Sequence, residues 1–156
     1  MTKTRWLNDD EERAWRNYLR MYRVLESALA RELQADSQLS LPDFEVLVAL
    51  TDVDDARLRV SALAQALQWE KSRLSHQIAR MARRGLVARE ECAEDGRGAF
   101  VVLTPAGRAA IEAAAPSLVE SVRQLFFDAL TDDDVVALDA MTSRVLRRFD
   151  HRSASQ

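Results

Sequence analysis

The sequence predicts a mainly α-helical fold with a small β-hairpin, and three observations support this. Apolar residues recur at three- and four-residue steps over most of the chain, which is the spacing of amphipathic helices. Helix-favouring Ala, Leu, Arg and Glu are abundant, whereas the chain has only 4 Gly and 3 Pro. Between residues 86 and 103, two strand-like runs flank a glycine-containing turn, which is typical of a hairpin.

Two helices are predicted in the first third of the chain. The first covers about residues 9–35, with Asn8 as its N-cap and Glu11 as the reciprocal partner three residues later. The second begins within Ser40–Asp43, where a capping residue is followed by proline and an acid.

The middle of the chain predicts two more helices joined by a tight turn. A short extended segment, 57–60, precedes a helix that we expect Ser61 to cap. Residues 68–70 form the turn, and the next helix covers about 71–84. Gly85 follows it as a left-handed residue that ends the helix.

The remaining elements are the hairpin and two further helices. The strands are expected at 86–92 and 99–103. A helix begins at Thr104-Pro105, and Pro116 should kink or break it because proline lacks an N–H and clashes with the preceding turn. Thr131–Asp134 is typical of a capping box and predicts a last helix that ends near Phe149.

Size and composition narrow the class of protein. A chain of 156 residues suits one domain, or one small domain with a dimerisation layer. It contains no apolar run of the ~18–20 residues that span a bilayer, and its start has no apolar core like that of a signal peptide. The single cysteine, Cys92, excludes an internal disulfide and fits a reducing compartment, so we expect a cytoplasmic protein without membrane contact.

Charge is distributed unevenly along the chain. Residues 71–89 contain six basic side chains and no acid, in a chain whose net charge is −3. Because this segment carries +6, the rest carries −9. Phosphate contact depends on local charge, so an acidic total does not argue against DNA binding.

The helix of residues 71–84 has two chemically distinct faces. On a helical wheel, Leu74, Ile78 and Met81 share one face and can pack against the preceding helix. The other face is polar and basic, and it carries Arg73, His76, Gln77, Arg80 and Arg84, with Ser72 and Ser75 beside it. A helix with a packed back and a polar front fits the major groove, where Arg pairs with guanine and Gln with adenine. The alternative is an ordinary solvated face, and the absence of acids favours nucleic acid.

The hairpin extends this interpretation. A two-stranded wing that follows a recognition helix can reach the adjacent minor groove, and narrow minor grooves attract arginine. Arg97 at the turn is the candidate for insertion, with Asp95 placed to orient it by a short salt bridge. The alternative is that Asp95–Gly98 is simply a favourable turn sequence.

These features together resemble the MarR family, the regulators of the multiple-antibiotic-resistance type. The resemblance covers about residues 9–149. Its most specific part is Asp95-x-Arg97 followed by Leu103-Thr104. Next comes the run from Leu63-Ala64 through Ser72 and Ser75 to Arg83–Val87. The chain departs from the family pattern at Gln68, where glycine is common, and at Glu70, where Ser or Asp is common.

The resemblance implies a winged helix-turn-helix domain and a homodimer joined by N- and C-terminal helices. It implies one domain over residues 8–150, with a DNA-binding core at 36–104, dimerisation helices at 8–35 and 105–150, and a flexible tail at 151–156. It implies that Ser72, Arg73, Ser75, His76 and Arg80 face DNA and that Arg97 enters the minor groove. The implied partner is a pseudo-palindromic double-stranded operator. A repressor released by a small molecule is the expected mode.

The terminal helices support a dimer on their own residues. The first helix carries Trp15, Tyr18 and Tyr22, and apolar stripes continue after Pro116 and through the last helix. A winged domain does not need these stripes for its own core, so a second copy can bury them. The alternative is that they cover the subunit's own core. The same three aromatic residues are candidates for an effector pocket that takes a small hydrophobic or aromatic compound, with packing as the other explanation.

Little in the sequence favours an enzyme. The only histidines are His76, in the basic helix, and His151, near the C-terminus, and no metal-ligand, phosphate-loop or nucleophile motif accompanies them. We therefore expect no cofactor, no metal and no catalytic residue. Cys92 is interpreted as structural rather than as a redox sensor. The remaining rival is a winged helix that docks onto another protein, which would not need a basic helix free of acids.

Overall fold

A computed structural model describes residues 3–91 and 98–153 of the chain. Its elements are α1 (Asp9–Ser37), α2 (Leu41–Thr51), β1 (Arg57–Arg59), α3 (Val60–Leu67), α4 (Lys71–Arg83), β2 (Val87–Glu91), β3 (Ala99–Leu103), α5 (Pro105–Leu125), a 3₁₀ turn (Phe127–Ala129) and α6 (Asp132–Ser153). The expected fold, mainly α with a small β wing, is confirmed. Over the described ranges, no helix combines the length and apolarity needed to span a bilayer.

Three helices begin with capping boxes, and those at Asn8 and Thr131 are the ones that the sequence predicts. The Glu11 N–H donates to Asn8 Oδ1 over 2.8 Å, and the Asn8 N–H donates back to Glu11 Oε2 over 2.9 Å. Ser40 and Asp43 exchange the same pair of bonds at the start of α2. Thr131 and Asp134 do so before α6. Each box satisfies amide donors that a helix start leaves without partners.

Three local predictions are wrong. Ser61 does not cap α3, because the helix already begins at Val60, directly after the extended residue Arg59, and has no side-chain cap. Of the two outcomes expected at Pro116, a break is wrong, because α5 is helical to Leu125, while a kink stays a prediction. The helix continues despite the missing N–H and the crowding by the proline ring, because the flanking alanines favour helix and Ile111 and Ala114 are buried in the core.

The third error concerns the end of the chain. The last helix does not end near Phe149 but continues to Ser153. Arginine is a good helix former, and cations near a helix C-terminus are favoured by the helix dipole, so Arg144, Arg147 and Arg148 favour continuation of the helix.

The sheet is small and antiparallel, with strand order β1-β3-β2. Val87 is paired with Leu103 and Glu91 with Ala99, whereas Arg57 is paired with Val102 on the other side of β3. The central strand alternates buried and half-buried residues, because one face is directed at the core and the other is partly open. The predicted hairpin strands are therefore confirmed.

Contacts divide the chain into two compact units. The first, Met1–Leu118, has one apolar core to which α2, α3, α4 and the sheet contribute. The second, Val119–Gln156, contains the end of α5, the 3₁₀ turn and α6. Its large apolar side chains are mostly exposed, and Val136 and Leu146 have 69% and 62% of their surface open to solvent.

A close approach of backbones joins α4, the sheet and α5. The Thr104 hydroxyl donates to the carbonyls of Gly85 and Leu86 over 2.6 and 2.9 Å, and it accepts from the Gly107 N–H over 3.0 Å. Gly107 is buried in the first turn of α5. A Cβ added there would collide with the Leu86 carbonyl oxygen and lie 2.9 Å from Leu103 Cδ1. The wing and α5 can meet only because residue 107 has no side chain.

We predict that Gly107→Ala destabilises the protein by about 1–3 kcal/mol, since a backbone carbonyl cannot move aside as a side chain can. Urea denaturation with circular dichroism measures this. Gly85→Ala is the matched control, because residue 85 has a φ of +76° but open space around a Cβ. It should cost only the left-handed backbone strain, roughly 1 kcal/mol. A stabilised Gly107→Ala, as helix propensity alone would give, would contradict the close approach.

Candidate nucleic-acid interface

Helices α3 and α4 are joined by a three-residue turn that fixes their crossing. Gln68 has a φ of 56° and ends α3 in the left-handed conformation, and the Trp69 N–H donates to the Ala64 carbonyl over 2.9 Å. The Trp69 side chain is half-buried against the core. These contacts confirm the predicted helix, tight turn and helix, with Gln68 doing what glycine often does at this position.

The back of α4 is fully buried. Leu74 and Met81 have no exposed surface and Ile78 is 1% exposed. All three belong to the core cluster that also contains Leu63 of α3. The predicted packed face is therefore confirmed, and it determines which residues of α4 are directed outward.

The outward face of α4 is basic. Ser72, Arg73, His76 and Arg80 are exposed, and Ser75 is half-buried beside them. No acid lies on α4. These predicted site residues are thus brought together on one accessible helix surface, as required of a helix that enters a DNA groove.

Arg73 is held by an aromatic ring. Its Cζ atom lies 4.1 Å from the centroid of the Trp69 ring, which is cation–π distance. Partial burial raises the pKa of Glu45 of α2, and the positive charge of Arg73 opposes that rise. The arginine is thereby restrained before any partner binds.

Two predicted site residues are directed elsewhere. Gln77 is only 4% exposed, and its Nε2 donates to Asp43 Oδ1 over 2.6 Å. Arg84 pairs with Asp43 Oδ2 over 2.6 Å and donates to the Gln38 carbonyl over 3.0 Å. The placement of Gln77 on the open face is therefore wrong, and Arg84, although exposed, is engaged inside the protein.

Helical geometry explains this error. At about 100° per residue, Gln77 lies about 40° from Arg73 and about 40° from the buried Met81, so it stands on the border between the two faces. The hydrogen bond to Asp43 places Gln77 on the buried side. Asp43 is 3% exposed and lies 34 residues away in sequence from Gln77. Nothing in the local pattern around Asp43, other than its capping role, could have shown this contact.

A basic pair on β1 was not predicted from the sequence. Arg57 and Arg59 lie over the same ring, with Cζ atoms 3.8 and 4.6 Å from the Phe100 centroid. Arg57 also lies 3.4 Å from Glu90 of the neighbouring strand. Their alternation in Arg-Leu-Arg was the available signal, because residues two apart in a strand share a face.

The wing is described only at its base. The paired strands β2 and β3 are in place, and Gly98, with a φ of 94°, precedes β3. Asp95 and Arg97, the predicted minor-groove contacts, lie outside the described residues, as does Cys92. Their roles stay predictions.

The candidate effector residues lie on α1. Trp15, Tyr18 and Tyr22 are 53%, 51% and 55% exposed, and the rings of Trp15 and Tyr18 stack with centroids 5.7 Å apart. An open groove lies between α1 and α2, but its lining residues, such as Ala30, Gln34 and Pro42, do not include these aromatics. Within the described ranges, no group of three or more His, Cys, Asp or Glu side chains is arranged to hold a metal.

Comparison with known proteins identifies the family. The model for the MarR family matches residues 37–98, which contain α2 to β2. The chain is 35% identical over 96 residues to the transcriptional regulator HosA of Escherichia coli, an alignment that spans 62% of this chain and 69% of HosA. It is similar to AbsC of Streptomyces coelicolor, a MarR family transcriptional regulator, with 42% identity, a TM-score of 0.86 and coverage of 95% and 99% of the two chains. The chain belongs to the MarR family.

A second solved MarR family regulator adds a bound partner. Sco3205 of Streptomyces coelicolor, solved in complex with DNA, is 37% identical with a TM-score of 0.87, over 92% of this chain and 90% of its own. The present MarR family regulator thus has the winged helix-turn-helix fold that the sequence predicts. The family match covers α3, the turn and α4, so the basic surface described above lies within the residues that match the family model.

Proposed function

We propose that this MarR family regulator binds a specific DNA sequence through α4 and the wing. The observation that carries the proposal is the two-sided character of α4, whose apolar back is fully buried while its outward face is basic and free of acids. The solved complex of Sco3205 with DNA supports it, because that protein is 37% identical over most of both chains.

Each outward residue has a distinct role in this proposal. Arg73 and Arg80 pair with base edges in the major groove, where arginine favours guanine. His76 contacts a base edge, and Ser72 and Ser75 contact phosphates or bases. Arg97 enters the minor groove with Asp95 orienting it. Gln77 and Arg84 are assigned to contacts with other parts of the protein instead of to DNA.

The protein acts as a homodimer in this proposal. Large apolar side chains are exposed on α1 and α6, among them Tyr22, Val24, Leu146 and Phe149. Burying such surface against a second copy is favourable, and two-fold symmetry is the commonest oligomeric form. A two-fold dimer presents two copies of α4, so its operator is pseudo-palindromic with half-sites roughly 10 bp apart.

Regulation by a small molecule completes the proposal. The protein acts as a cytoplasmic repressor, and a small aromatic or anionic compound releases it from DNA. The groove between α1 and α2 is the better candidate site than the exposed aromatic residues. Arg23 and Arg31 line it together with one acid, Glu26, and with apolar Ala30 and Leu41, so its net positive charge suits a compound with a ring and a negative charge.

The DNA contacts make a prediction about specificity. Arg73→Ala should lose about 1–3 kcal/mol at one base pair in each half-site and relax the preference there, because its head group reads a base edge. Arg97→Ala should weaken binding to most sequences, with A·T-rich flanks losing most, and should give a shallower salt dependence. Binding to single-base operator variants at two salt concentrations measures both.

The control for this experiment is Arg16→Ala, an exposed arginine of α1 that pairs with Glu12 over 2.5 Å. It should leave the preference unchanged. If Arg73→Ala weakened all sites equally while Arg97→Ala altered one major-groove position, the two roles would have to be exchanged. Binding with no sequence preference by the unchanged protein would refute the proposed function itself and favour a protein-docking module.

The exposed apolar surfaces make a prediction about assembly. Light scattering should give a mass near twice 17.6 kDa for the unchanged protein. Val24→Glu and Leu146→Glu should shift it toward the monomer, because each places a charge where apolar surface is to be buried. Ala62→Glu, at an exposed position of α3, is the control and should stay dimeric. If the unchanged protein were a folded monomer at micromolar concentration, the proposed homodimer would be refuted.

The groove makes a prediction about regulation. Small aromatic carboxylates should weaken operator binding by roughly 5- to 150-fold, and by reciprocity DNA should weaken their binding by the same factor. Ala30→Phe fills the groove and should abolish the response while DNA binding persists. A response that survives in Ala30→Phe would exclude the groove as the site, and no response in a broad compound panel would exclude this mode of regulation.

A further inference from the structure

A continuous polar chain connects the start of α2 with the outward face of α4. Asp43, 3% exposed, accepts from the Ser40 N–H, from Gln77 Nε2 and from Arg84 Nη1. Gln77 in turn accepts from Arg80 Nη2 at its Oε1 over 2.6 Å. Arg80 is exposed on the surface that we assign to DNA. The order along this chain is buried carboxylate, buried amide and exposed guanidinium.

The chemistry of the three groups allows only this arrangement. An ionised carboxylate can only accept hydrogen bonds and a guanidinium can only donate them. The amide of Gln77 has one donor end and one acceptor end, so its NH₂ must be directed to Asp43 and its carbonyl to Arg80. An apolar residue at 77 could make neither bond, and an ionised glutamate at 77 would repel Asp43.

The amide fixes Arg80 without cancelling its charge. Arg84 is paired directly with the Asp43 carboxylate, so its positive charge is locally compensated. The partner of Arg80 is a neutral carbonyl, which restrains the guanidinium and leaves its full charge for a base or a phosphate. Restraining a long side chain before binding reduces the conformational entropy that binding would otherwise cost.

We propose that Gln77 is a positioning residue that sets base preference by aiming Arg80, and that Asp43 anchors it. The proposal rests on the proposed DNA-binding function and goes beyond it, because it assigns specificity to a residue that does not itself touch DNA. Gln77 acts through Arg80, so its effect should exist only while Arg80 is present.

A double-mutant cycle on operator variants tests this. Arg80→Ala should reduce discrimination by about tenfold or more at one base pair in each half-site. Gln77→Leu, which introduces an apolar side chain of similar size and removes both hydrogen bonds, should reduce discrimination at that same base pair and leave the others unchanged. In the Arg80→Ala background, Gln77→Leu should have no further effect. Gln124→Leu removes an exposed glutamine whose Nε2 donates to Glu120 within α5, and it is the control.

The outcomes separate this proposal from the proposed function. If Gln77 were only structural, Gln77→Leu would weaken binding to all operator variants by one factor, and by the same factor in the Arg80→Ala background. That result would overturn the positioning role. An unchanged base preference in either Gln77→Leu or Arg80→Ala would also overturn the positioning role, but it would leave the proposed DNA-binding function intact. Absence of any preferred sequence in the unchanged protein would instead refute the proposed function. Thermal melting monitors folding, and Gln77→Met provides the same test if the leucine variant is unstable.

Discussion

The burial of one face of α4 is the constraint on which the rest of the structure depends. Leu74, Ile78 and Met81 are at most 1% exposed, and together they fix the rotation of the helix about its own axis. Because the helical repeat is fixed, burying this stripe necessarily turns Arg73, His76 and Arg80 outward. The placement of the basic surface is thus a consequence of apolar packing, and no polar contact is required to establish which way it is directed.

Apolar packing alone defines less precisely where α4 lies along its own axis and against its neighbours. Polar contacts at both ends of the helix fix this position. The turn at Gln68 and Trp69 holds its start, whereas Gly85 and Thr104 connect its end to the sheet and α5. Asp43 ties its flank to α2. Buried polar groups of this kind cost free energy unless they are fully paired, and each acceptor of Asp43 has a donor at 2.6–3.0 Å.

Much of this arrangement follows from local sequence, and the exceptions have a common cause. Capping boxes and the 3.6-residue period are local signals, so the helix starts at Asn8, Ser40 and Thr131 and the packed face of α4 were predictable. The burial of Gln77 was not, because it depends on a carboxylate 34 residues away. The uninterrupted α5 at Pro116 likewise depends on the tertiary burial of its neighbours, which outweighs the local preference of proline.

Arg73 and Arg80 on α4, compared with Arg84 directly after it, show how a basic site can be both ordered and charged. A carboxylate orders an arginine most strongly but compensates its charge, and here it is used only for Arg84, at the end of the helix. Arg73 is ordered by the face of Trp69 and Arg80 by the amide of Gln77, both of which are neutral partners. Because counterion release depends on charge that remains available to phosphates, neutral partners preserve affinity while they restrict geometry. The separation of ordering from neutralisation is therefore what allows a chain of net charge −3 to present a positive and preorganised surface on a single helix.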